Sequence, residues 1–407
     1  MRNRRALALF AVVVLIVGAA GLVLRMRPVP GAVQVGVVLP LDSEVGVQML
    51  QAIEMALADW QPTDDDLTVE LVPVSYSAET SEERMRLHRE AMVDFGADDR
   101  VIGVIGAPNT AFATDVIALT NRANLPVISP AATWPGLTKS GYRAGEPGIY
   151  YPTGTRTFFR TIPADDIQGL AALEWFRREG ITRIFVLTLA DNVYSTGLGG
   201  ILVANAEDFG VTVVEQATYN VEADDADRAA QHADLATRVQ QADVQAVFYP
   251  AVVPVGAYAI VNPIREANPD VIIFGTEGLP SATDDIGMDM TDAGRLYATS
   301  LVPDPARLPA AQDFIAAYEE RYGAPPVPFA ITAHDAMVAV LTALESTHTI
   351  TRPALTDSLV AMSVVDGAMG RWRFDDNGDV TLRVVSILQF QNGEWQTIDS
   401  VQPQDAT

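Results

Sequence analysis

Cysteine is absent from the 407 residues, which excludes disulfides, thiolate metal sites and an anchor built on a lipid-modified cysteine. Basic side chains are scarce, 27 against 52 acidic ones, for a formal charge of −25. Residues 1–27 hold five of the basic residues and no acidic one, so the rest of the chain carries 22 against 52 and a charge of −30. Such a body repels nucleic-acid phosphates and faces away from anionic lipid, so no nucleic-acid partner is expected. Enzyme signatures are missing too: there is no Walker-type phosphate loop, no GxGxxG after a strand, no HExxH and no GxSxG elbow. His88, His232, His334 and His348 fall on separate predicted helices or their ends without metal-ligand spacing, and His334 reads as a packed core residue. No catalysis, metal or cofactor is expected.

The one long apolar run is Ala6–Leu24, 19 residues between Arg2, Arg4, Arg5 and Arg25, Arg27. Its length is close to the roughly 20 residues that span a bilayer and exceeds the roughly 7–15 of a cleaved signal core. The expectation is an uncleaved membrane anchor, with residues 1–5 cytoplasmic, 6–24 in the membrane, 25–32 a linker and the large domain outside. Cleavage at the small residues around Gly18–Gly21 is the alternative, and it would release a secreted or periplasmic protein.

The remainder reads as α/β. Val33–Leu41 is a buried apolar run, Val45–Trp60 a helix, Leu67–Val74 a strand and Ser81–Phe95 a helix. The stretch from Val101 to Lys139 then reads as strand, turn, helix, strand and turn, stopped at Gly106, Pro108 and Asn109, and again at Ser129 and Pro130. That alternation predicts a doubly wound parallel sheet. After a loop over 134–157, rich in Gly, Pro and Tyr, and the strand TFFRT (Thr157–Thr161), a second series begins. It runs through helix Gln168–Arg178, strand Arg183–Leu189, a helix to Phe209, strand Val211–Ala217, helix Arg228–Gln241, strand Val244–Tyr249, helix Val255–Ala267 and strand Val271–Phe274. Leu296–Val302 should cross back, so that helices Pro309–Tyr322 and Phe329–Leu344 pack on the first lobe. Helix Ala354–Met362 and an antiparallel end of Gly370–Phe374, Thr381–Phe390 and Trp395–Asp399 follow. The DDNGD turn, Asp375–Asp379, has a calcium-loop composition, but its glycine is misplaced, and a hairpin turn is the better reading.

Ligands of parallel sheets collect at strand C-termini and helix N-termini. Polar groups recur there: Asn109 and Thr110, Ala131 to Thr133, Asp191 with Tyr194, and Glu277. Each has an ordinary alternative as a cap or turn residue. Together they offer an anion cradle on one lobe and a carboxylate with a phenol on the other, which is complementary to a zwitterion.

The segments VQVGVVLPL, VIGVIGAPNTAFA, LPVISPAATWPGLT, FFRTIPADDIQG, the Tyr194 turn, FGTEGL and GRWRFDDNGDV, in this order, resemble the leucine/isoleucine/valine-binding type of extracytoplasmic solute-binding protein that feeds ABC importers. The resemblance spans residues 33–400 and implies a type I periplasmic-binding-protein fold, two doubly wound lobes joined by three crossing strands near Phe159–Thr161, Thr299–Val302 and Gly367–Arg371. Lobe one would be 33–160 with 302–366, and lobe two 161–301 with 367–407. It implies a small amino-acid-like solute such as a branched-chain amino acid or related amide, permease transmembrane subunits as partners, and a monomer. Ligand carboxylate would meet Asn109 or Thr110, backbone at Ala131, and Thr133; ammonium would meet Glu277 and Tyr194, with Asp191 nearby. Val252 stands where a tyrosine is common and Asn109 where a serine is usual, and Trp134 with the loop through Tyr150 and Tyr151 reshapes the mouth. The rival expectation is a sensory receptor of the same fold acting through a separate partner protein.

Overall fold

The computed structural model describes residues 32–64, 67–251, 259–280, 295–302, 308–347 and 349–403. The expected membrane segment, Val252 and His348 lie outside these residues. The first sheet holds β1 (Val33–Leu39), β2 (Val69–Ser75), β3 (Val101–Ile105), β4 (Val127–Ser129) and β5 (Phe158–Arg160), all parallel in the order β2-β1-β3-β4-β5. Every residue of β1 and β3 is buried, as their largely apolar runs require when helices cover both faces; the one polar member, Gln34, donates to Glu70 at 3.0 Å. The connecting helices α1 (Glu44–Asp59), α2 (Ser81–Ala97) and α3 (Thr110–Arg122) start where short polar side chains cap free backbone N–H groups: Ser43 accepts from Gly46, Thr80 from Glu83 and Asn109 from Phe112.

The second lobe opens with α4 (Asp165–Arg178), β6 (Arg183–Leu189), α5 (Val193–Asn205), β7 (Thr212–Tyr219), α6 (Asp225–Ala242), β8 (Ala246–Phe248), α7 (Val261–Ala267), β9 (Ile272–Gly275) and β10 (Leu296–Ser300). The last two strands, β13 (Val385–Gln391) and β14 (Glu394–Val401), add antiparallel to the parallel set, giving the order β14-β13-β10-β9-β8-β6-β7. The chain returns at Leu301 and Val302: the former packs in the core of the second sheet, the latter in that of the first. There α8 (Pro309–Tyr322), α9 (Pro328–Ser346) and α10 (Arg352–Val360) join the first lobe. Among the described residues α9 is the one helix long and apolar enough to cross a membrane, but its apolar residues pack against α1 as core.

The passage expected at Gly367–Arg371 lies later. Strands β11 (Val365–Gly367) and β12 (Gly370–Trp372) pair with each other over the first core, which also takes Trp372, Phe374 and Val380. The cause is Asp335 on α9. This buried carboxylate accepts from the Ala368 and Met369 N–H groups at 2.6 and 3.0 Å and from the Trp372 indole at 2.8 Å, holding the turn down. Gly367 is needed there, since a Cβ would lie 2.3 Å from the carboxylate. The chain reaches the second sheet only between Val380 and Val385.

One buried ion pair ties these passages together. Arg160, fully buried at the end of β5, donates to Asp379 at 2.7 Å, to the carbonyls of Ala132 and Trp134 at 3.2 and 2.9 Å, and to the Thr138 hydroxyl at 2.5 Å. Asp379 closes the DDNGD turn, which is a hairpin turn bridged by Phe374 and Val380. Burial opposes ionisation of Asp379, but Arg160, with Lys139 at 3.4 Å, holds it below the usual carboxylate range. Lys139, the chain's one lysine, also pairs with Asp166 at 2.7 Å.

Asp379→Ala leaves the Arg160 charge buried and unpaired, so urea unfolding should show a loss of about 3–5 kcal/mol. His88 supplies a second test. It is fully buried against Tyr76 and Phe112, with neither ring nitrogen hydrogen-bonded among the described residues. Burial pushes its pKa down to about 3, so the folded protein keeps it neutral where the unfolded chain takes up a proton. Stability is therefore lost as pH falls through the ordinary histidine value towards 3. His88→Leu should reduce the loss between pH 7 and 4 by about 3 kcal/mol in denaturant titrations.

Candidate functional site

The C-terminal strand edges of the two sheets carry the candidate site. On the first lobe the turn after β4 is shaped by Ser129, whose hydroxyl donates to the Ala107 carbonyl at 2.7 Å and accepts from the Ala131 and Ala132 N–H groups at 3.3 and 2.9 Å. The backbone at Ala131 is thus already engaged with its own turn. Thr110, in the first turn of α3, is buried and accepts from the Trp134 N–H at 3.3 Å, which joins the loops after β3 and β4. Thr133 is buried beside it, and its carbonyl accepts from the Asp165 N–H at 2.9 Å, linking this loop to the start of α4.

On the second lobe the loop after β9 presents Glu277. Its carboxylate accepts from the Tyr194 hydroxyl at 3.1 Å and from the Gln168 amide, which also donates to Thr299 at 2.9 Å. Tyr194 comes from the first turn of α5 and Gln168 from that of α4, so two helix starts and two strand ends meet at one carboxylate. Burial raises the Glu277 pKa against the pull of the Gln168 and Tyr194 bonds.

Asp165 completes the cluster. It is fully buried, and neither carboxylate oxygen has a hydrogen-bond partner among the described residues. Burial, then the Glu277 charge, raises its pKa well above the ordinary range, and the Thr133 side chain and Arg160 favour its ionised form less strongly. Burial together with the Glu277 and Asp165 charges also pushes Tyr194 well up, so its phenol stays a donor at any physiological pH. A bare carboxylate next to a half-satisfied one disfavours an anion and attracts a cation that can donate several hydrogen bonds.

Of the residues expected from sequence, Tyr194 and Glu277 are bonded to each other, Thr133 adjoins Asp165, and Thr110 adjoins Trp134. Among the described residues neither Asn109 nor Asp191 bonds to this cluster. Asn109 is exposed and spends its side-chain oxygen on capping α3 at 3.2 Å. Asp191 is exposed in a turn with φ +54, while Asn192 caps α5. Asp165, Gln168 and Thr299 join this cluster without having been expected from the sequence. Their signal was the FFRTIPADDIQG segment, where the helix begins at Asp165, three residues before the expected Gln168, so both acids fall in its first turn.

The family model described as periplasmic binding protein matches residues 32–394. A leucine-binding protein LivK from Thermotoga maritima superposes with a TM-score of 0.75 at 21% identity, covering 92% of this chain and 100% of that one. An ABC transporter substrate-binding protein from Desulfitobacterium hafniense in complex with Leu gives 0.74 at 22% identity, covering 90% and 100%. A Rhodopseudomonas palustris solute-binding protein in complex with benzoate gives 0.70 at 15%, covering 92% and 97%. No curated protein matches the chain in sequence. With a family match over nearly all of the described structure, two α/β lobes and a polar cluster at their facing strand ends, the chain belongs to the periplasmic binding protein family.

Proposed function

We propose that this chain is the extracytoplasmic substrate-binding component of an ABC importer, held at the membrane by residues 6–24, and that it binds a small amino-acid-like solute without catalysis. The observation that carries the solute class is Asp165, a fully buried carboxylate with no hydrogen-bond partner among the described residues, beside Glu277. An ammonium group satisfies both: it donates to Glu277 and Asp165, with the Tyr194 phenol fixing its direction. The carboxylate or carbonyl end then faces the first lobe, at Thr110 and Thr133. The leucine bound by the Desulfitobacterium protein has such an ammonium; the benzoate bound by the Rhodopseudomonas protein offers none to two carboxylates. This contrast favours an amino acid or a related amide.

Calorimetric titration of the protein, stripped of carried-over solute by unfolding and refolding, tests the reading against amino acids, small amides and benzoate. One-to-one binding of an ammonium-bearing solute supports it, and preference for benzoate overturns it. Glu277→Gln should weaken an ammonium-bearing solute by about 1.5–3 kcal/mol, the scale of a hydrogen bond to a charged group. Affinity should also fall as pH drops through the raised Glu277 and Asp165 values, starting above the ordinary carboxylate range, and Glu277→Gln should flatten that profile. For the solute-free protein the sign reverses. Folding raises the Asp165 pKa, so its contribution is complete at low pH and is lost as pH rises past the unfolded value. Asp165→Asn should therefore raise the solute-free Tm at pH 7 while weakening binding.

A further inference from the structure

Gly197 lies within α5, in helical backbone that any residue adopts, and glycine there costs about 1 kcal/mol relative to alanine. Local structure gives no reason for it. The reason lies in the opposite lobe: a Cβ on Gly197 would sit 2.3 Å from the Trp134 ring, with two more ring atoms at 2.8 and 3.2 Å. Ile201, one turn further along α5, packs into the same first-lobe cluster as Trp134. The next positions, Leu198 and Leu202, turn to the second lobe's own core. One face of α5 is thus shaped to receive a side chain from across the cleft.

Trp134 cannot easily give way. Its indole N–H is held by both carboxylate oxygens of Glu146, at 3.0 and 3.1 Å, and Glu146 accepts in turn from Tyr150 at 2.8 Å. The Arg143 guanidinium lies 4.6 Å over the ring and Tyr142 meets it edge-on. Both partners of the contact adjoin the proposed solute site: Trp134 follows Thr133 and donates to Thr110, and Gly197 is one turn beyond Tyr194.

We infer that Trp134 and Gly197 are positioning residues of the solute site: the fixed indole enters the notch left by the missing side chain when the lobes close, and the depth of that notch sets how closely Thr110 and Thr133 approach Asp165, Tyr194 and Glu277. The inference rests on the cleft being the solute site, and its test separates the two claims. Because the chain has no cysteine, dyes on Arg122→Cys in α3 and Glu207→Cys just beyond α5 report lobe separation by energy transfer in the full-length protein. Gly197→Ala should keep or raise the Tm, shift the transfer towards the separated form and weaken solute binding at least tenfold. Adding Trp134→Leu should restore much of both. A Gly197→Ala protein with wild-type transfer, or a defect that Trp134→Leu does not relieve, overturns the inference. If the wild type binds none of the amino acids, amides or benzoate, the solute reading fails, while the transfer difference between wild type and Gly197→Ala still decides the role of the contact.

Discussion

The buried guanidinium of Arg160 is the constraint on which the site's geometry depends. A charge taken out of water must be surrounded by acceptors, and Arg160 collects them from two places far apart in sequence: the cleft loop at Ala132, Trp134 and Thr138, and the closing turn at Asp379. The loop that carries Thr133 and Trp134 is therefore fixed to the end of β5, where the chain leaves the first lobe. Because Asp165 begins α4 five residues after Arg160, the same anchor sets where the second lobe's acid starts. Cleft wall and lobe junction thus share one anchor.

The acids of the site follow the opposite logic. Asp335 and Asp379 are buried with full sets of donors and act as structural pins. Asp165 is equally buried, and neither of its oxygens has a hydrogen-bond partner among the described residues. Its difference from Asp166, the next residue, is plain: Asp166 reaches Lys139 at 2.7 Å, and Asp165 is buried close enough to the Glu277 charge for that charge to oppose its ionisation. Burial without donors sets Asp165 against its own ionisation, which is the opposite of what the donors around Asp335 and Asp379 do.

What the sequence made legible followed from local periodicity. The apolar runs of β1 and β3 and the period of α1 and α3 made the first lobe legible, since a strand buried on two faces needs no distant information to be recognised. Glu277 and Tyr194 were legible because they stand just past strand ends. Asp165 was not, because acids at a helix start are ordinary complements to its dipole and only the tertiary structure shows that one of a pair is unpartnered. Asn109, which caps α3, and Asp191, which sits in a turn, show how a cap, a turn residue and a ligand contact share one sequence pattern. The β11-β12 hairpin was misplaced because its position is dictated by Asp335, some thirty residues earlier in the chain.

The solitary lysine has a practical consequence. Lys139 lies between Asp166 and Asp379, beside the Arg160 anchor and about one-fifth exposed. Amine-directed chemistry on this protein, apart from the chain terminus, is therefore confined to a single ammonium at the junction of the lobes. A surface immobilised through that amine would hold the molecule by its joint, leaving each lobe's outer face untouched and the joint itself modified.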